Sequence, residues 1–136
     1  MADGLAAVRL LRPVRVLVAG DDDRIVNALC DDLMRLGFQA MSTTRPERVA
    51  KLARLERANV VILDTSGGLA AAASLAGSLD ELPHRVRVLF ACPPESPAAR
   101  LGYDIVDPGA ASEQLAAAVH RAYRGGPVSA SRASRR

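Results

Sequence analysis

Asp64 closes the almost wholly apolar run Val60–Asp64, and Asp21, Asp22 and Asp23 follow the apolar stretch 14–19 across Gly20. Aspartates so placed can ligate a hard divalent ion or cap a helix and complement its dipole. Short apolar runs bounded by turn residues read as buried strands, and in an open parallel sheet the carboxyl ends of the strands line the ligand crevice. Both acidic sites are therefore expected at one edge of one sheet. Cationic help is scarce: the chain has one lysine, Lys51, and no arginine between Arg100 and Arg121.

The elements that must position these acids follow from periodicity. Pro13 leads into a strand over 14–19, after which Ile25, Leu29, Leu33 and Leu36 fall at helical spacing and Gly37 stops the helix. A second strand is expected over 38–42, and Thr44, Arg45, Pro46 and Glu47 have the form of a capping box with proline in the first turn. The helix behind it should run to about Arg57 and bury Val49, Leu52 and Ala53. Strands over 60–63, 86–91 and 103–106 alternate with an alanine-rich helix over 69–82, stopped by Pro83, and with a last helix whose stripe is Leu115, Ala118, Val119 and Ala122. Strands alternating with helices argue for a doubly wound α/β sheet of five parallel strands. The crossover after the fourth strand departs from this pattern. Pro93, Pro94 and Pro97 leave room for about one helical turn there, so the fourth helix is shortened or missing.

Composition narrows the function. The 136 residues, 49% hydrophobic and 24% charged, suit one domain over 14–124 behind a lead-in of 1–13 and ahead of a disordered basic tail, 125–136. Cys30 and Cys92 are too few for a disulfide framework and are expected reduced and packed. No stretch has the length of a membrane span and no secretory leader is evident, so no membrane role and a cytoplasmic location are expected. The formal charge of +3 is carried by Arg132, Arg135 and Arg136 in the tail. A near-neutral body with two Phe, two Tyr and no Trp offers neither a phosphate-gripping face nor a base-stacking platform, so no nucleic-acid partner is expected.

Over residues 14–124 the chain resembles the response-regulator receiver domains of two-component signalling. The likeness is carried by VRVLVAGDDD, the LGF after the first helix, VVILDT, VRVLFA and GYDIVDP, in that order and spacing. The resemblance implies a flavodoxin-like sheet of order 2-1-3-4-5, with Asp64 as the phosphoacceptor at the end of strand three. A carboxylate attacks an anionic phosphoryl donor only when a divalent ion neutralises the transferring oxygens, and the resemblance assigns Mg2+ to an acidic pair after strand one. Counting back from Leu36 without a gap puts Gly20 and Asp21 on that pair, whereas a shift of one residue puts Asp21 and Asp22 there.

Other family parts are missing. The hydroxyl expected at the end of strand four is replaced by Phe90, with Ala91 next, and the lysine before a proline by Asp107 before Pro108, or by Val106 if the gap is placed differently. An aspartate at that place adds negative charge beside Asp64 in place of a pairing cation. The Met-Pro after the phosphoacceptor loop gives way to Ser66, Gly67, Gly68 and Leu69. The expected function is a stand-alone atypical receiver-like protein in signal transduction, with Asp phosphorylation impaired or absent. Its partners would be a histidine kinase, another regulator or a second copy of itself.

Other readings of these residues are structural. The aspartates 21–23 serve equally as helix caps, and Asp64 as a loop former. The loop Thr65, Ser66, Gly67, Gly68 has backbone N–H groups for an anion but no P-loop spacing. His84 and His120 are expected at the surface. The competing function is a small-molecule-binding regulatory domain that uses the strand-end crevice, lined by Phe90. An enzyme is not expected: carboxylates stand where a flavin phosphate would bind, no histidine falls in the loop a cobalamin needs, and no G-x-S-x-G elbow occurs.

Overall fold

The computed structural model describes residues 13–125, so the lead-in and the tail, Pro13 and Gly125 excepted, lie outside the described residues. Five strands form one parallel sheet in the order β2-β1-β3-β4-β5: β1 Arg15–Ala19, β2 Gln39–Thr43, β3 Val60–Asp64, β4 Arg87–Ala91 and β5 Ile105–Val106. The helices are α1 Asp23–Arg35, α2 Val49–Leu55 behind a 3-10 turn Pro46–Arg48, α3 Leu69–Asp80, α4 Pro97–Arg100 and α5 Ser112–Tyr123. This is the flavodoxin-like order expected, and the fourth helix is a single turn.

The apolar runs form central strands because both faces of the sheet are covered. Val16, Val18, Val60, Ile62, Leu89 and Ala91 turn to one side, where α1 and α5 bring Val26, Leu29, Leu33, Leu115, Ala118 and Val119. Leu17, Ala19, Val61, Leu63 and Phe90 turn to the other and meet Val49 and Ala53 of α2, Ala72 and Leu79 of α3 and Ala98 of α4. All four residues expected in the stripe of α5 are buried.

Several local expectations are corrected. In α1 the buried residues are Val26, Leu29, Cys30 and Leu33; Ile25 is half-buried and Leu36 is an exposed cap residue. The helix starts on Asp22 and ends before Gly37, whose φ of 96° lets the Phe38 N–H return to the Leu33 carbonyl at 3.0 Å. The capping box does not form. The Thr43 hydroxyl takes the Arg45 N–H at 3.1 Å, no side chain caps the turn, and Pro46 starts a 3-10 turn ahead of α2. The α2 helix ends at Leu55, and Arg57 adopts a left-handed conformation (φ 52°) to turn into β3. α3 ends at Asp80, ahead of Pro83, and β5 has two residues in place of the four expected. His84 is half-buried, with its Nε2 3.1 Å from the Ala58 carbonyl oxygen, so it ties the α3–β4 link to the α2–β3 link. His120 is exposed as expected, its ring 5.1 Å from that of Phe38. Both cysteines are buried free thiols.

Candidate functional site at the carboxyl ends of the strands

The sheet register places the two acidic sites together. Ala19 pairs with Leu63, so Gly20 stands abreast of Asp64 as the two chains leave the sheet. A Cβ built on Gly20 would lie 2.5 Å from Asp64 Cβ and 2.9 Å from its Oδ2, so no side chain fits at position 20, where the ungapped count expects the first acid of the pair. Asp21 reaches across the loop after β3: a Cβ on Gly67 would fall 2.9 Å from its Cγ. The two glycines thus let the β1–α1 and β3–α3 loops close on each other. Asp21 and Asp64 line one cleft of about 160 Å³.

Asp64 is the buried polar residue of the described chain, 8% exposed. The Ser66 hydroxyl donates to its Oδ2 at 2.6 Å and the Ser66 N–H to its Oδ1 at 3.2 Å. Among the described residues the ion pairs are Arg35 with Asp32 and Arg45 with Glu47, so no basic side chain of that segment meets the Asp64 charge. The Gly68 N–H is spent on the Thr65 carbonyl at 2.9 Å. With the Ser66 N–H also taken and the Asp21 carboxylate over Gly67, the loop has little left to cradle an anion.

Asp22 does other work. It is the N-cap of α1, its Oδ1 accepting the Arg24 N–H at 2.9 Å, and Asp23 lies in the first turn, where a negative charge suits the helix dipole. Among the described residues no three of His, Cys, Asp and Glu gather as metal ligands. The carboxylates facing the cleft are Asp21 and Asp64, the low end of what a mostly hydrated Mg2+ accepts. This donor set fits a weakly held ion.

Phe90 and Asp107, expected at the replaced switch positions, are engaged by other groups. Phe90 is fully buried on the α2–α3–α4 side, 4.6 Å from the Tyr103 ring and stacked at 12°. It does not line the cleft, contrary to the expectation for a ligand crevice, because Asp64 pairs with Ala91 and Phe90 is one residue back, abreast of Leu63. Asp107 follows β5, and its Oδ1 accepts the Gly109 N–H at 2.9 Å, folding the carboxylate into its own turn. The hydroxyl of Thr65 is turned to the Ala91 carbonyl at 3.4 Å.

Sequence reasoning missed the far wall of the cleft: Thr43, Thr44, Arg45 and Pro46 from the β2–α2 link, Val49 of α2, and Ala71, Ala72 and Leu75 of α3. The signal available was the run of alanines at 70–73, whose small side chains leave space beside the strand ends.

No protein-family model and no curated protein matches this chain. Solved structures do. A signal receiver domain of a response regulator from Bermanella marisrubri superposes with a TM-score of 0.65 at 18% identity, over 82% of this chain and 98% of that one. The fold is that of receiver domains. The chemotaxis protein CheY4 of Vibrio cholerae matches at 0.62 and 15% identity over 82% of this chain and 99% of its own. The pseudo-receiver domain of the CikA protein matches at 0.60 and 19% identity over 79% and 94%.

Proposed function

We propose that this chain is an atypical receiver-like regulatory domain, not an enzyme, that acts in the cytoplasm through protein contacts without phosphorylation of Asp64. The observation that carries the reading is the surroundings of Asp64. A phosphoryl group placed there would meet the Asp21 carboxylate across the cleft, and each Asp64 oxygen already accepts one hydrogen bond from Ser66. The strand-four position that would answer it is a buried, stacked Phe90, and the strand-five position is an aspartate bonded within its own turn. Phosphoryl transfer depends almost wholly on positioning and on neutralising charge, and neither is provided. Asp21 and Asp64 would hold Mg2+ weakly. The ion's contribution when bound is to neutralise oxygens of a donor.

Receiver and pseudo-receiver folds among the structural neighbours support signalling through surfaces, with a histidine kinase, another regulator or a second copy as partner. The test is an amide NMR spectrum of the full chain with Mg2+, before and after addition of acetyl phosphate. The expected result is no displacement of the Thr65–Gly68 or Ala91–Cys92 amides beyond that caused by Mg2+ alone. A second, slowly reverting set of those peaks would overturn the reading.

A second reading, a small-molecule-binding regulatory domain, is favoured by the cleft itself. Apolar side chains from α2 and α3 line a hollow that ends on a buried carboxylate, the form of a binding pocket: mostly apolar, with a few convergent polar groups.

A further inference from the structure

From the cleft beside Asp64 we infer that it takes a small organic cation: a primary ammonium on a short apolar chain. The inference rests on the second reading above. Three features select the ligand. First, the Asp64 carboxylate is buried at one end of the hollow and accepts two hydrogen bonds, both from Ser66, while a carboxylate has about four acceptor sites. A buried charge is stable when paired, and no basic side chain of the described residues pairs with this one. Asp21 adds a second carboxylate at the rim.

Second, most of the rest of the wall is apolar; its polar residues, Thr43, Thr44 and Arg45, come from the β2–α2 link, where Arg45 pairs with Glu47. Val49, Leu63, Ala72 and Leu75 line the apolar part, with Pro46 at the edge. A hydrated metal ion gains nothing from such a surface, whereas an alkyl chain gains about 25 cal/mol for each Å² it removes from water. Third, the volume sets the length. A hollow of about 160 Å³ holds on the order of five to eight non-hydrogen atoms at liquid-like density. An ammonium nitrogen with four to six carbons fills it, the nitrogen against Asp64 and the chain along α3.

The test is a titration of the full chain, followed by amide NMR, with n-pentylammonium, the neutral 1-pentanol, the anionic pentanoate and Mg2+ alone. Two variants accompany it. Asp64→Asn removes the charge at constant shape, and Ala71→Leu fills the hollow from an exposed position on α3; the same spectra report whether each is folded. The expected result is saturable displacement of the Gly20, Thr43, Gly67 and Gly68 amides by the amine. Its affinity should exceed that of the alcohol and the acid at least tenfold, and fall at least tenfold in each folded variant. Equal binding of amine and alcohol would overturn the proposal, as would Mg2+ acting on the same amides at a tenfold lower concentration than the amine. Undiminished amine binding in folded Ala71→Leu would overturn it as well. Phosphoryl transfer to Asp64 bears on the phosphate-independent reading and leaves this titration intact, so the two fail separately.

Discussion

At the scale of single residues, Gly20 holds the site together. Its missing side chain lets Asp64 stand where a β-carbon would otherwise be, and the contact would be with the stem of Asp64, which cannot swing aside. Gly20→Ala should cost about 1–3 kcal/mol, the usual penalty for overpacking, measured as a fall in the denaturant midpoint at unchanged slope; an unaltered midpoint would mean the loops are not in contact. Cys30 gives a second prediction. Burial pushes its thiol up, the nearby Asp31 charge adds to this, and a hydrogen bond with Ser42 works the other way. A folded-state value raised above the unfolded one means the folded chain holds the thiol proton more tightly. That contribution is complete below the unfolded thiol range and is lost as pH rises through the folded value. Stability should therefore decline on the alkaline side, and less steeply in Cys30→Ala. Denaturation midpoints measured across the alkaline range check this.

At the scale of elements, the sheet is uneven. β1, β3 and β4 are five-residue strands in the middle of the sheet, while β5 has two residues and is reached through the single turn of α4. Pro93, Pro94 and Pro97 remove three N–H donors from that crossover, and Leu101 and Tyr103 stay exposed beside it. Local stability should follow. Amides over 98–106 are expected to exchange with solvent at least a hundredfold faster than those of Val60–Asp64, by mass-resolved hydrogen exchange; equal protection would show that the edge opens only with the whole domain. The same unevenness decides what was legible in the sequence. Runs such as Val60–Asp64, buried on both faces, announce themselves, and so do the proline cluster and the stripe of α5. The short β5 was overestimated because Tyr103 and Asp104 have strand-like neighbours, yet only the Asp104 carbonyl reaches the sheet, at Phe90 N–H. Thr44 and Glu47 have the form of a capping box, but Pro46 starts a 3-10 turn that no side chain caps, and the Arg45 N–H goes to the Thr43 hydroxyl ahead of it. The expected stripe of α1 differs at both ends: spacing alone cannot tell Ile25 from Val26 as the residue that meets the sheet, and Leu36, past the last helical turn, stays exposed.

At the scale of the whole molecule, topology accounts for the meeting of Asp21 and Asp64, and side-chain packing accounts for what they can do. The order β2-β1-β3-β4-β5 brings the ends of β1 and β3 side by side wherever the acids fall in sequence. That much the apolar runs and their alternation with helices already implied. The partner of Asp64 was hidden, because nothing in the order of residues says that Ser66 turns back on it, and so was the hollow, which is shaped by what α3 lacks. The fold is shared with receiver domains, while on the proposed reading the surroundings of Asp64 are depleted one residue at a time: glycine for an acid, phenylalanine for a hydroxyl, aspartate for a lysine. On that reading, fold and chemistry have separated in this chain.

The most direct measurement of that separation is the intact mass of the full chain after incubation with Mg2+ and acetyl phosphate, beside Asp64→Ala treated alike. The expected result is no phosphoryl-sized gain in either protein, with the wild type shown to be folded by its amide spectrum. A stoichiometric gain in the wild type that is absent from Asp64→Ala would contradict the account, because it would mean that Asp64 carries out receiver chemistry without the hydroxyl and the lysine.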